Sequence, residues 1–124
     1  MNELKDKLAA LIGTPYGDPR FAPADCWGFV RYCYRLAGFD LPESLWQARH
    51  FGFEVTNGSR KFLDMLYFRD ALLNKRHVAL MFDRLYCLQS SETTNGVALI
   101  RLGRPGLTES IQAIFRLYDL KDSR

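Results

Sequence analysis

The 124-residue sequence has no apolar run approaching the roughly 18 residues of a membrane-spanning helix, so no membrane partner is expected. The first eight residues carry Glu3, Lys5, Asp6 and Lys7 where a secretory signal would be continuously apolar. The chain therefore reads as made in the cytoplasm and not exported by the Sec route. Cysteine is scarce. Cys26, Cys33 and Cys87 are odd in number and form no CxxC pair, which argues against a disulfide framework or a zinc site and for free thiols. A Gly-rich phosphate loop and an HExxH motif are both missing, so neither a cofactor nor a metal is expected. Charge of one sign does not accumulate either: 17 Lys and Arg against 14 Asp and Glu give +3, with arginines scattered from Arg20 to Arg124. That distribution offers no nucleic-acid surface, while mild basicity suits an anionic partner.

What is present is the composition of one globular domain, 48% hydrophobic and 25% charged, read as a single unit over residues 1–124. Leu4, Leu8, Leu11 and Ile12 recur at helical spacing, with Asn2 as a cap and Gly13 as a stop, and predict an amphipathic first helix. Turn residues from Thr14 to Arg20 and the prolines Pro19 and Pro23 then predict a structured loop. Asp25 stands where an N-cap belongs, and Val30, Cys33, Tyr34 and Ala37 continue the helical period up to Gly38, predicting a second helix over about Cys26 to Ala37. Leu45 to Phe53 reads as a short helix before the turn at Thr56–Ser59. Phe62 to Phe68 fits a helix or a buried strand. Val78–Phe82, Leu85–Leu88 and Val97–Ile100 predict successive antiparallel strands across Asp83-Arg84 and Ser90–Gly96. Ile111 to Leu117 is read as a final strand, although a helical period also fits it. Helices followed by a meander make the fold class α+β, with helices packed on one face of an antiparallel sheet.

A thiol in the first turn of a helix meets unpaired N–H groups, which favour the thiolate, and Cys26 has that placement. Cys33 and Cys87 read as core filler. A thiolate nucleophile needs a base, and the choice lies between His50 and His77. His77 is preferred because it opens an apolar strand, whereas His50 has no rigid setting. If the strands on either side of Asp83-Arg84 pair, Gln89 comes near His77, where its amide oxygen can hold the imidazole. The alternative is an exposed amide at a strand end.

Tyr16-Gly17, the segment Ala24-Asp25-Cys26-Trp27-Gly28-Phe29-Val30, and Gly38-Phe39-Asp40-Leu41-Pro42 resemble the active-site region of NlpC/P60 cysteine peptidases. The resemblance extends through Leu63-Asp64-Met65-Leu66-Tyr67-Phe68, where Leu63 replaces the usual glycine, and His77-Val78-Ala79-Leu80-Met81-Phe82 to Gln89, spanning about Tyr16 to Leu102. Gln89 is a less usual third residue than histidine. The tryptophan version of the motif is similar to phage tail-assembly members. The resemblance implies a papain-like α+β fold, with Met65–Phe68 a strand, and amide hydrolysis with Cys26 as nucleophile, His77 as base and Gln89 as its orienting group. It also implies that the Tyr16 hydroxyl and the Cys26 N–H stabilise the oxyanion, with loop packing as the alternative for Tyr16. Asp25 is read as a cap and Trp27 as a packing or groove-lining residue. The implied partners are peptidoglycan stem peptides, with phage-tail or secretion-system proteins for delivery to the wall. The rival readings are a non-catalytic tail or binding module of the same fold, and a thiol amidase or acyltransferase with another substrate.

Overall fold

Asp25 closes the start of an eleven-residue helix: its Oδ1 accepts the Gly28 N–H at 2.9 Å while its own backbone stays extended. This satisfies one of the donors that a helix start leaves unpaired. The structure is a computed structural model and describes residues 3–21, 25–44, 47, 49–70, 75–103 and 111–117. Two helices, α1 (Glu3–Ala9) and α2 (Cys26–Leu36), precede six strands: β1 (Gly52–Glu54), β2 (Met65–Asp70), β3 (Lys75–Met81), β4 (Tyr86–Ser91), β5 (Gly96–Arg101) and β6 (Ile111–Leu117). The α+β class with helices on an antiparallel sheet is therefore correct, and residues 65–70 and 111–117 are strands.

The sheet runs β1-β6-β2-β3-β4-β5, and every described pairing in it is antiparallel. From β2 to β5 it is a meander, but β6 returns to lie between β1 and β2. Side chains alternate along β2 and β3: Met65, Val78 and Leu80 join the helix-side core, whereas Leu66, Phe68, Ala79 and Met81 join a second cluster. On the helix side α2 contributes Phe29, Val30, Cys33 and Tyr34, all fully buried. That amphipathic stripe fixes α2 against β3 and β4.

Three expectations are corrected. The first helix stops at Ala9, so Ile12 falls off its apolar face and is 43% exposed. Within 45–53, the described part holds a short 3-10 turn at Arg49–Phe51 and then β1. A Cβ on Gly52 would lie 2.3 Å from the Arg116 carbonyl oxygen, so the close β1–β6 approach requires glycine there. Asn2, Leu45, Trp46 and Ala48 lie outside the described residues. The strand holding His77 also starts earlier than expected, at Lys75.

Sequence periodicity did not reveal the Asp64–Arg116 pair. Asp64, 1% exposed, receives Arg116 Nε and a terminal guanidinium nitrogen at 2.8 Å each, and its second oxygen also accepts the Lys61 N–H. Arg116 donates further to the Ser59 carbonyl. The bidentate geometry ties the entry of β2 to β6. Arg116→Met should strand a buried carboxylate and lower unfolding free energy by about 3–5 kcal/mol in urea titrations. The double variant Asp64→Leu/Arg116→Met should recover much of that loss, though not the Lys61 and Ser59 bonds. A loss under 1 kcal/mol in the single variant would contradict this account.

Candidate active site

Cys26 is the first residue of α2 and is half-buried beside β3. The backbone N–H groups of Val78, Trp27 and Cys26 lie close enough to its sulfur to favour the thiolate, that of Val78 most. Burial outweighs them, and the Asp25 carboxylate adds a like charge, so the pKa of Cys26 is raised. This reverses the expectation of a lowered value drawn from the helix start. The N–H groups are in place, but the sulfur is largely withdrawn from water.

Val78 follows His77, whose ring lies against Phe68, its cross-strand neighbour on β2, at 5.9 Å between centroids. His77 Nε2 and Gln89 Oε1 are 2.6 Å apart. The β3–β4 ladder pairs Leu80 with Leu88 and Met81 with Cys87. Among the described residues it goes no further, and at the level of His77 the strands are joined by side chains instead. Gln89 is not an exposed strand end: it lies inside β4 and is only 8% exposed. Burial pushes the His77 pKa down, and the Gln89 bond opposes that shift. The free site therefore favours a neutral thiol and a neutral imidazole near pH 7.

Tyr16 sits on the loop after α1, where Gly13 donates to the Val97 carbonyl and Val97 donates back to Thr14, both at 2.9 Å. Gly96 allows this contact, because a Cβ there would lie 2.1 Å from the Thr14 carbonyl oxygen. Burial, followed by the charges of Cys26, Glu92 and Asp25, raises the Tyr16 pKa. The phenol therefore stays a donor and lies near the thiol. Trp27 is buried and donates Nε1–H to the Glu43 carbonyl at 2.8 Å, a packing position. Cys33 and Cys87 are fully buried; burial raises both pKa values, that of Cys87 to about 12. His50 is exposed in the 3-10 turn that leads into β1. Among the described residues no grouping of His, Cys, Asp and Glu suits a metal ion.

Ser91 and Thr94 were not singled out from the sequence. Gln89 Nε2 donates to Ser91 Oγ at 3.2 Å, and Ser91 Oγ lies 3.0 Å from Thr94 Oγ1. The signal available was Ser91 two residues after Gln89, on the same face of β4.

A helix-borne cysteine beside the strand that carries a histidine and its amide partner, on a helix-backed antiparallel sheet, defines a papain-like α+β fold. The NlpC/P60 family model matches residues 13–116, and the chain belongs to the NlpC/P60 family. Its fold is similar to that of an NlpC/P60 family protein from Bacillus cereus, with TM-score 0.75 and 22% identity over 93% of this chain and 39% of that one. It is also similar to the peptidoglycan hydrolase RipB from Mycobacterium tuberculosis, with TM-score 0.70 and 19% identity over 91% of this chain and 62% of that one. RipD from the same organism, described as a non-catalytic NlpC/p60 domain protein adapted to peptidoglycan binding, has TM-score 0.66 and 18% identity over 94% and 98%. The chain thus spans well under two thirds of the Bacillus cereus protein and slightly under two thirds of RipB. No curated protein matches it by sequence.

Because burial dominates at Cys26, its alkylation by iodoacetamide at pH 7.5 should be slower than that of an exposed cysteine in a short peptide. The rate should still be climbing at pH 9, where the peptide thiol, with a pKa of about 8.5, is mostly ionised. Faster reaction than the peptide at pH 7.5 would show instead that the resting thiol is already ionised.

Proposed function

We propose that the protein is a cysteine peptidase that hydrolyses amide bonds in the peptide stems of bacterial peptidoglycan. The observation that carries this reading is the 2.6 Å contact between His77 Nε2 and Gln89 Oε1, next to the Val78 amide that faces the Cys26 sulfur. With Gln89 accepting from Nε2–H, the His77 lone pair is on Nδ1. His77 Nδ1 takes the Cys26 proton as the sulfur attacks the substrate carbonyl, and the imidazolium returns that proton to the leaving amine. A water then enters with the same base and releases the acid from the thioester. The Cys26 N–H and the Tyr16 hydroxyl stabilise the oxyanion, for which a protonated, half-buried phenol is the required state. Peptidoglycan as substrate is supported by family membership and by the hydrolase RipB among its structural relatives. Residues 1–124 are taken as one catalytic domain, with delivery to the wall by a phage tail, for which Trp27 after the cysteine is the support.

The second reading is a binding module of the same fold, favoured by the raised Cys26 pKa and by the likeness to RipD. Digestion of purified peptidoglycan and soluble stem peptides, followed by mass spectrometry, separates the two. Wild type should yield a fragment that is absent with Cys26→Ala, at a rate at least about a thousandfold above the variant. Intact stems with both proteins, together with retained binding to the wall, would give the binding module first place. Cleavage of a non-wall amide alone would leave the thiol chemistry and replace the substrate.

The acid limb of kcat/KM reports His77, which must be neutral to accept the thiol proton. Its pKa lies below the ordinary 6.5, so kcat/KM should hold down through pH 6.5 and fall only at lower pH. Loss of activity already above pH 7 would contradict the assigned base.

A further inference from the structure

The Gly96 carbonyl can only accept a hydrogen bond, and Thr94 Oγ1 lies 2.7 Å from it. The threonine hydroxyl proton is therefore spent there, and Thr94 Oγ1 must accept from Ser91, 3.0 Å away. A longer contact of 3.4 Å to the Ser91 carbonyl offers Thr94 a second acceptor and leaves that polarity unchanged. Ser91 Oγ also faces the Thr94 N–H at 3.2 Å, a group that can only donate. With its own proton directed to Thr94, Ser91 Oγ has acceptor capacity left for Gln89, which presents Nε2 at 3.2 Å. The amide end of Gln89 is then turned towards Ser91 and its oxygen towards His77. His77 Nε2 must carry the proton, and Nδ1 keeps its lone pair.

We propose that Ser91 and Thr94 are positioning residues which, through the fixed orientation of the Gln89 amide, set the tautomer of His77. Neither touches the reacting atoms. Their role is to polarise a chain of hydrogen bonds whose direction is imposed at one end by the Gly96 carbonyl. A reversed Gln89 would present NH2 to His77 and move the ring proton to Nδ1, removing the base. Reversal would also pull the Ser91 proton away from Thr94, so it costs one net hydrogen bond, which corresponds to roughly a five- to tenfold bias between tautomers. The same hairpin holds Thr14 through Val97, so the base and the Tyr16 loop share one support.

The proposal deepens the peptidase reading and rests on it for its catalytic meaning, but its test needs no substrate. Long-range 1H–15N correlation spectra of 15N-histidine-labelled protein distinguish Nε2–H from Nδ1–H, and His50 supplies the exposed reference. At a pH where His77 is neutral, wild type should show the Nε2–H form. Ser91→Ala and Thr94→Val should each shift the ratio towards Nδ1–H by roughly five- to tenfold, while Ser91→Thr, which keeps the hydroxyl, should hold it. Gln89→Glu can only accept, so in that background Ser91→Ala should leave the tautomer unchanged. Should Ser91→Ala fail to fold, Thr94→Val carries the test alone. A ratio within about twofold of wild type in the folded variants, or an equal shift in the Gln89→Glu background, would overturn the proposal. An inactive protein in which these tautomer shifts are nonetheless found would refute the peptidase reading and leave the hydrogen-bond chain standing.

Discussion

Burial of α2 against β3 and β4 is the constraint on which the site depends. Phe29, Val30, Cys33 and Tyr34 are withdrawn from water on one stripe, so the helix can neither slide nor turn without exposing them. Both ends of the helix are also held. Asp25 caps the start, and at the other end the Ala37 N–H bonds back to the carbonyls of Cys33 and Tyr34. Because the helix axis is fixed, its first residue has one place to be, beside the Val78 amide. The placement of the thiol follows from apolar packing that begins about one turn along the helix from it.

The same burial explains the electrostatics. An exposed helix start would lower a thiol's pKa, and the N–H donors at Cys26 act in that direction. Packing the sulfur against β3 adds a larger opposing desolvation effect, and it also pushes His77 towards neutrality. A neutral pair costs the folded chain less than two buried charges would.

The elements that could be read from sequence were those with local punctuation. Asp25 before the apolar stripe and Gly38 after it mark α2, and the Asp83-Arg84 turn between two apolar runs brings Gln89 back towards His77. Met65–Phe68 resisted because both faces of β2 are buried, so its apolar residues run continuously and lose the alternation that identifies a half-exposed strand. β1 is three residues long and exists through its pairing with a distant strand. The direction of the Cys26 pKa was misread because helix position is local while desolvation belongs to the tertiary structure. Leu63 shows a further limit. It adopts φ 72°, a left-handed conformation that favours glycine, and it is held there by its N–H donating to the Met81 carbonyl and by the Tyr34 hydroxyl donating to the Leu63 carbonyl. Its buried side chain offsets a backbone cost of about 1–3 kcal/mol.

The position of β6 between β1 and β2 has a consequence for the order of events in folding. Asp64 and Arg116 are 52 residues apart, and β2 gains its second neighbour only when β6 arrives. Until then a nascent chain carries an unpaired acid at the mouth of β2 and a strand edge open to other chains. Loop-closure entropy must be met before this long-range pairing is rewarded, so sheet completion is set to be the slow step. The helix carrying Cys26 and the strands it packs on precede β6 in the chain, so the candidate site can form while the far edge of the sheet is still incomplete.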